Sequence, residues 1–427
     1  MSAPIAIVGG GLGGLALAVA LVKRGLSVHI YEAAPAFAEI GAGVAFGINS
    51  LTAMHLIDPL LLEGYKKHAT FNVDRERDNT FITAKWGVDE NRAGGHKAGD
   101  TLWNLEDMWH PERAQTLGVR TRSCIHRARL LDELVALLPK GITSFGKSLE
   151  GAEENPDGTL KLQFADGTTA SAIALIGCDG IKSRVRALVC GPQIHATYAG
   201  EVAYRAVAPK AAAEAALGTD LALNGHIYCG YGAYIITYPI DHGESVNIVA
   251  IPHDPGDAPW TWEHDEWTVP VTKEDVLERF KGWYTPLVDL ISRYHLPYKW
   301  AMFDLQHDAP YHKGRICLMG DSAHATTPHL GAGAGMAMED AYILSNLIAA
   351  VQDSNDINKA FKAYEAVRRP RTQECIRRSL DAALAWDCLL PDVADDTDAL
   401  KVLMEESFKW LWHEDLEALL ETAKQQL

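Results

Sequence analysis

The sequence has no Walker-type phosphate loop, no GxSxG elbow and no Cys/His dyad. Those absences exclude P-loop phosphoryl transfer and catalysis by an activated serine or cysteine. No apolar run approaches the roughly 18–20 residues a membrane span needs, so no membrane partner is expected. No basic block offsets a net charge of −17. Such a chain is a poor non-specific partner for nucleic acid or anionic lipid. An anionic substrate would therefore need a local cationic group. The seven cysteines are scattered, odd in number and free of any CxxC pair, which suits free thiols in a reducing compartment. Met1-Ser2-Ala3-Pro4 offers no charged leader, and the terminal Lys-Gln-Gln-Leu matches no retention signal, so a cytoplasmic location is expected. Internal repeats and low-complexity segments are also missing.

What remains is a globular composition, 48% hydrophobic and 22% charged over 427 residues, enough for two or three structural units. Ile5–Val8 reads as a buried strand, followed by GGGLGG, a helical run from Leu15 to Arg24, and a second strand from Val28 to Tyr31 ending at Glu32. This is a complete β–α–β unit with GxGxxG at Gly9, Gly11 and Gly14. The first glycine makes the turn, the second admits a pyrophosphate, and the third lets helix and strand pack closely. Glu32 stands where a carboxylate accepts from ribose hydroxyls, and it disfavours a ribose 2′-phosphate. A further glycine-rich loop, Glu39 to Ala45, follows where a simple NAD domain would begin its next βα repeat.

Two later stretches share this character. In IALIGCDGIKS, a strand ends at Gly177 and Asp179-Gly180 follows at once; the plain alternative is an ordinary turn. In RICLMGDSAHATTPHLGAGAGMAM, a short buried strand ends at Gly320-Asp321, and a second glycine cluster precedes a helix. Such a turn lets backbone N–H groups approach a ligand, and a helix start favours anions. Asp321 suits the hydroxyls of a sugar-alcohol chain.

With these pieces in order, the chain resembles the single-component FAD-dependent aromatic hydroxylases, the group of para-hydroxybenzoate hydroxylase and salicylate hydroxylase. GGGLGGL with Glu32 matches their FAD-ADP motif, CDGIKSRVR their Asp-Gly motif, and GDSAHATTPHLGAGAGMAMED their Gly-Asp motif and flavin loop. CIHRARLLDEL resembles the helix whose arginine, here Arg127, contacts FAD; Arg129 stands where the family commonly has an acid. The resemblance implies an α/β fold: a Rossmann-like FAD-binding domain of the para-hydroxybenzoate hydroxylase form, with an inserted β-sheet substrate domain and a helical C-terminus. The expected boundaries are FAD domain 1–75, 106–190 and 301–353, substrate domain 76–105 and 191–300, and C-terminal helices 354–427. FAD would be held by Gly9, Gly11, Gly14, Glu32, Gly43, Ala45, Arg127, Asp179, Asp321, Pro328, Gly333 and Ala334, with NADH or NADPH binding transiently as co-substrate.

Residues 70–110 read poorly as regular structure. Strand patterns at 201–207, 226–230, 233–238 and 245–251 predict a separate antiparallel sheet. The tryptophans of 252–270 are expected to cap the core edge. Helices are expected from Met336, over Ile357–Leu390 with Pro370 inside, and over Asp398–Lys424. His324 and His329 lack a third ligand at metal-like spacing, so no metal is expected. Arg205 shares a strand face with Ala203 and Val207. By itself it is either a solvated edge charge or the cation that an anionic phenol needs. The resemblance adds that Arg205 and Tyr238 are placed like an arginine and tyrosine that hold substrate phenolate in dearomatising relatives. The activity implied is hydroxylation of a phenolic ring through a flavin hydroperoxide, salicylate-type first, with dearomatising hydroxylation of a phenolic polyketide aldehyde or ketone as the alternative. Partners would then be the phenol and dioxygen, in a monomer or homodimer. A flavin oxidase, or a flavin-binding protein without catalysis, is the reading from another class.

Overall fold

The structure is a computed structural model that describes residues 3–37, 43–89, 95–106, 111–120, 123–256 and 258–427. Part of the second glycine-rich loop, residues 39–42, lies outside the described residues, as does Trp109. The β–α–β unit forms as its spacing predicts, with strand Ile5–Val8, helix Leu12–Lys23 and strand Val28–Glu32. These join a six-stranded sheet in the order His312–Lys313, Ile316–Leu318, Ala174–Gly177, Ile5–Val8, Val28–Glu32 and Thr143–Phe145. All its pairings are parallel except that of the edge strand His312–Lys313. Parallel strands are covered on both faces, which is why IAIV, ALIG and ICL are continuous apolar runs.

The order of the three central strands matters most. Ile7 pairs with Ile176, and Ile176 with Cys317. Three neighbouring parallel strands therefore end side by side, at Val8, Gly177 and Leu318. The three glycine motifs, far apart in sequence, leave the sheet along one edge, at the carboxyl ends where open α/β sheets bind ligands.

A second sheet has eight strands in the order Thr268–Pro270, His295–Asp304, Thr197–Pro209, Ser245–Pro252, Ala233–Ile240, His226–Gly230, Thr80–Trp86 and Thr101–Glu106. Its core is the expected antiparallel sheet. The poor regularity expected of 70–110 is corrected: this segment contributes the two strands at one edge, and Thr80–Trp86 is buried at every position. One partner, Thr101–Glu106, is antiparallel across a long connection, and the other, His226–Gly230, is parallel and some 140 residues away, so no tight-turn hairpin signal marks the strand locally. The tryptophans of 252–270 do cap the edge: Trp260 meets His253 edge-on at 4.7 Å between ring centres, and Trp267 stacks on Phe303 at 3.8 Å.

Helix Gly333–Ala350 packs on Leu12–Lys23 so closely that a Cβ on Gly13 would lie 3.2 Å from the Ala337 methyl group. The long helix runs through Pro370 and ends at Trp386 rather than Leu390. The last expected helix is two, Thr397–Trp412 and Leu416–Lys424, because the Asp415 side chain accepts from the Glu417 and Ala418 N–H groups and starts a new helix. Among the described residues no helix is long and apolar enough to cross a membrane.

A fully buried ion cluster joins these layers. Arg368 donates to Glu339 at 2.6 Å and to Asp340 at 2.7 Å, and Arg371 donates to both Glu339 oxygens at 2.8 and 2.9 Å. Asn49 donates to Glu339 at 2.6 Å. The second Asp340 oxygen accepts from the Gly320 N–H at 3.0 Å and lies 2.6 Å from His324 Nε2. Burial opposes the charge on Glu339, but Arg371 and Arg368 outweigh it and hold its pKa at about 2.

Removing one partner of a buried pair leaves an uncompensated charge, which typically costs about 3–5 kcal/mol. Arg368→Met is therefore expected to lower unfolding stability by about that amount in a denaturant titration. Because Glu339 is depressed from 4.5 to about 2, its contribution is present above pH 4.5 and is lost as pH falls toward 2. Acid titration of the native protein should show that loss; an unchanged acid midpoint in Arg368→Met would contradict it.

Candidate active site

One cavity of about 460 Å³ lies where the edge of the six-stranded sheet faces the second sheet. Its floor is backbone. Gly9 has φ +106°, and a Cβ there would sit 2.2 Å from the Cys178 carbonyl oxygen. A Cβ on Gly14 would sit 2.1 Å from the Gly9 carbonyl oxygen. Neither position admits a side chain, so these two glycines shape the turn from behind, while Gly11 lines the cavity itself. Helix Leu12–Lys23 begins at Gly11 and helix Gly333–Ala350 at Ala332, neither with a side-chain cap. Both helix starts reach the cavity with uncapped N–H groups, an arrangement suited to anionic and electron-rich groups.

The flanking loops are tied together. Gly320 has φ +62° and turns the chain into Asp321, which is exposed at the cavity. Buried Arg186 donates to the Ser322 carbonyl at 3.1 Å and the Ile181 carbonyl at 2.6 Å, clamping the Asp-Gly loop to the Gly-Asp loop. Gly43, Ala45, Arg127, Pro328, Gly333 and Ala334 also line the cavity. Glu32 and Asp179 do not. Glu32 accepts from the Gly10 N–H at 2.6 Å and the Ala34 N–H at 2.7 Å, bracing the glycine turn. Asp179 accepts from the Ser183 hydroxyl at 2.6 Å and from the Arg184 and Val185 N–H groups at 2.7 and 3.0 Å, starting helix Arg184–Cys190.

The far wall comes from the second sheet and the C-terminal helices. Ile227, Ile236, Val249, Met302, Trp386 and Phe408 make it apolar. Arg205 and Tyr238 both reach it. Tyr238 donates to the Gly43 carbonyl at 3.2 Å, tying the second sheet to strand Gly43–Phe46 of a small separate three-stranded sheet. The Arg205 guanidinium lies over Trp300, 5.3 Å from the ring centre. Its Nε is buried with no hydrogen-bond partner, and burial lowers its pKa. Arg205 has no carboxylate partner among the described residues. Asp321 is the one carboxylate among the described lining residues, set against Arg127 and Arg205. In a chain of charge −17 the cavity is thus locally cationic.

Sequence reasoning missed several lining residues. Asn247 sits opposite Tyr238 in the sheet register, with its Oδ1 buried and unpartnered. Tyr234 and His329 also line the wall. The polar residue in the apolar strand SVNIVAIP was a signal for Asn247. Nothing local marked Trp386 or Phe408, which reach the site from the C-terminal helices.

Gly9→Ala is expected to destabilise the protein by roughly 2 kcal/mol or more, since it adds both positive-φ strain and a backbone collision. Thermal unfolding of the variant checks this; a native melting temperature would show the turn to be compliant.

The chain matches the FAD binding domain family over residues 128–379 and an NAD(P)-binding Rossmann-like domain family over residues 7–38. It is 40% identical over 422 residues to the 6-methylsalicylate 1-monooxygenase of Aspergillus terreus, covering 97% of this chain and 90% of that protein. It is 33% identical over 451 residues to a salicylate hydroxylase of Sarocladium schorii, covering 98% and 90%. A solved salicylate hydroxylase substrate complex superposes with a TM-score of 0.85 at 30% identity, covering 99% of this chain and 98% of that one. Likeness of this extent along nearly the whole chain settles its kinship: it belongs to the FAD-binding-domain family and is an FAD-dependent monooxygenase.

Proposed function

We propose that this enzyme hydroxylates a small phenolic anion of the salicylate type, with NAD(P)H as reductant and dioxygen as the oxygen source. The observation that carries the reading is Arg205, a cation without a carboxylate partner among the described residues, half-buried in a largely apolar wall. A buried charge without a counter-ion is costly, and an anionic ring supplies one. The similarity to proteins named for salicylate and 6-methylsalicylate supports the same class.

The residues present fit FAD. Gly11 and the uncapped start of helix Leu12–Lys23 would receive the pyrophosphate, with Gly9 and Gly14 keeping side chains out of the turn. Glu32 would accept from ribose with the lone pairs its two backbone bonds leave free. Asp321 would accept from the ribityl hydroxyls. Gly43, Ala45, Arg127, Pro328, Gly333 and Ala334 would border the ring system, and Asp179 would act by fixing the loop between Cys178 and Gly180. When bound, FAD supplies the redox chemistry, taking electrons from NAD(P)H and activating dioxygen.

The protein's own tasks are to hold the substrate ring, favour its phenolate and exclude water. Arg205 offers a planar fork to a carboxylate or phenolate, backed by the Trp300 face. Tyr238, whose hydroxyl donates to the Gly43 carbonyl in the free site, would turn that single proton to the substrate anion when the ring is bound. The apolar wall excludes water around the carbon to be hydroxylated.

Three variants test this reading. Asp321→Ala is expected to lose flavin from an otherwise folded protein, because its side chain is exposed rather than part of the core; full flavin absorbance would remove this carboxylate from the site. Arg205→Lys keeps the charge but loses the fork and the stacking, and should lower product formed per NAD(P)H consumed with salicylate by about tenfold or more. Tyr238→Phe removes one hydrogen bond and should cost about tenfold. Native rate and coupling in both would place the substrate elsewhere. A screen of NAD(P)H oxidation across hydroxybenzoates and resorcinol aldehydes then ranks the substrate class.

A further inference from the structure

Behind the cavity wall, three side chains from distant parts of the chain meet. Glu201 belongs to strand Thr197–Pro209, His253 follows strand Ser245–Pro252, and Asp387 follows helix Ile357–Trp386. Glu201 and Asp387 are fully shielded from solvent, and His253 is 4% exposed. His253 Nδ1 lies 3.7 Å from Glu201 Oε1 and 3.4 Å from Asp387 Oδ2. One ligand atom from each of the three falls within 4.8 Å of the others. Yet among the described residues no hydrogen bond reaches either oxygen of Glu201, either oxygen of Asp387 or either ring nitrogen of His253. Buried polar atoms are ordinarily paired, because desolvating them without a partner is costly.

The backbone fixes this arrangement. Glu201 and His253 are cross-strand neighbours. Gly232 ties the other two together: its carbonyl accepts from the His253 N–H at 2.9 Å, and its N–H donates to the Asp387 carbonyl at 2.8 Å. Trp260 meets the His253 ring edge-on and presses on Gly200, where a Cβ would lie 2.4 Å from the indole, so the outer side is closed. Arg279 donates to the His253 carbonyl. A proton shared inside the cluster would put an N–H or O–H in line with an acceptor, and no pair among the three has that geometry. The separations suit ligands around one small cation instead. Donors about 2.1 Å from a tetrahedral zinc ion stand about 3.4 Å apart. Octahedral magnesium at about the same bond length would bring neighbours to about 3.0 Å, and calcium takes about six to eight oxygens rather than a nitrogen. A divalent cation also cancels the charge of two carboxylates, which are costly to bury side by side without compensation.

We propose that Glu201, His253 and Asp387 bind a zinc ion, with a water molecule as its fourth ligand. Neutral His253 offers Nδ1, Glu201 offers Oε1 and Asp387 offers Oδ2. The second Glu201 oxygen lies 2.8 Å from His329 Nε2, so His329 stands as the outer-shell group that orients this ligand. The ion takes no part in the redox chemistry, and the site does not depend on the phenolic reading. Its effect is on rigidity. Trp386, next to Asp387, and His329, beside Glu201, both line the cavity. One ion would therefore pin the end of the long helix and the turn Pro328–Leu330 to the substrate sheet. The three ligands are far apart in sequence, so no metal-like spacing marks them.

The test uses the full-length FAD-loaded enzyme, produced in medium supplemented with zinc or with cobalt so that the ion is present as the chain folds. Metal content is measured after exhaustive dialysis against metal-free buffer, in wild type, His253→Gln and Asp387→Asn. Wild type is expected to retain about one zinc per chain, and each variant less than about a tenth of that. Cobalt-grown wild type should show the intense visible bands of a tetrahedral cobalt site, at wavelengths beyond the flavin absorption. Wild type stripped of zinc by a chelator should melt about 2–5 °C lower while keeping its FAD. Wild type that retains no zinc and shows no such cobalt bands would overturn the site and leave protons as the compensation. Zinc retained equally by both variants would also overturn it, since the ion would then sit on other residues. If neither variant folds, the wild-type cobalt spectrum decides, because the weak bands of an octahedral ion would contradict this ligand set. None of these readouts requires turnover of a phenol, so failure of the phenolic reading leaves the metal result standing.

Discussion

The Asp340 carboxylate is the point on which the site depends. One oxygen takes Arg368 from the long C-terminal helix; the other takes the Gly320 N–H and faces His324. A single buried carboxylate therefore fixes the turn that presents Asp321, the helix carrying Trp386, and the start of the helix that packs on Leu12–Lys23. Glu339 beside it draws in Arg371 and Asn49. Buried ion pairs add little net stability compared with apolar packing, but breaking one is costly. Their use here is geometric: the loop cannot shift without exposing a charge to the interior.

The cavity inherits its chemistry from where the two sheets meet. The six-stranded sheet offers backbone, glycine turns and uncapped helix starts, which suit a large anionic cofactor. The eight-stranded sheet offers side chains, apolar except for Arg205, Tyr238, Tyr234 and Asn247. Tyr238 bonded to Gly43 ties the eight-stranded sheet to strand Gly43–Phe46, and Arg186 bonded to the Ser322 carbonyl holds two loops of the six-stranded sheet together. The overall charge of −17 and the locally cationic wall are complementary facts. The first repels adventitious anions at long range, and the second gives one anion a short-range reason to enter.

The parts legible in the sequence were those with local cause. A glycine that must turn, a strand buried on both faces and a helix beginning at a glycine all leave marks within about ten residues. So the three motifs and the antiparallel sheet could be read directly, while Arg205 by itself stayed open between an edge charge and a site cation. What could not be read was partnership over distance. Asn49 meets Glu339 across 290 residues, and one of the two strand partners of Thr80–Trp86 lies near residue 226. Glu32 and Asp179 were read as ligand acceptors, yet the folded chain already gives both of them backbone N–H partners. No role could be assigned to His329 from sequence beyond the absence of metal-like spacing, whereas in the fold its neighbours are a tyrosine and a carboxylate. The C-terminal helices carried no motif at all, although they close the cavity with Trp386 and Phe408.

The central claim is that this cavity directs an oxygen atom from dioxygen onto a phenolic ring held as an anion. Turnover of salicylate by the FAD-loaded enzyme under oxygen-18 gas, with mass analysis of the aromatic product, tests it most directly. The account predicts one labelled oxygen in the new ring hydroxyl and no oxygen drawn from water. Labelled peroxide with an unaltered ring, or a hydroxyl that carries solvent oxygen, would contradict it.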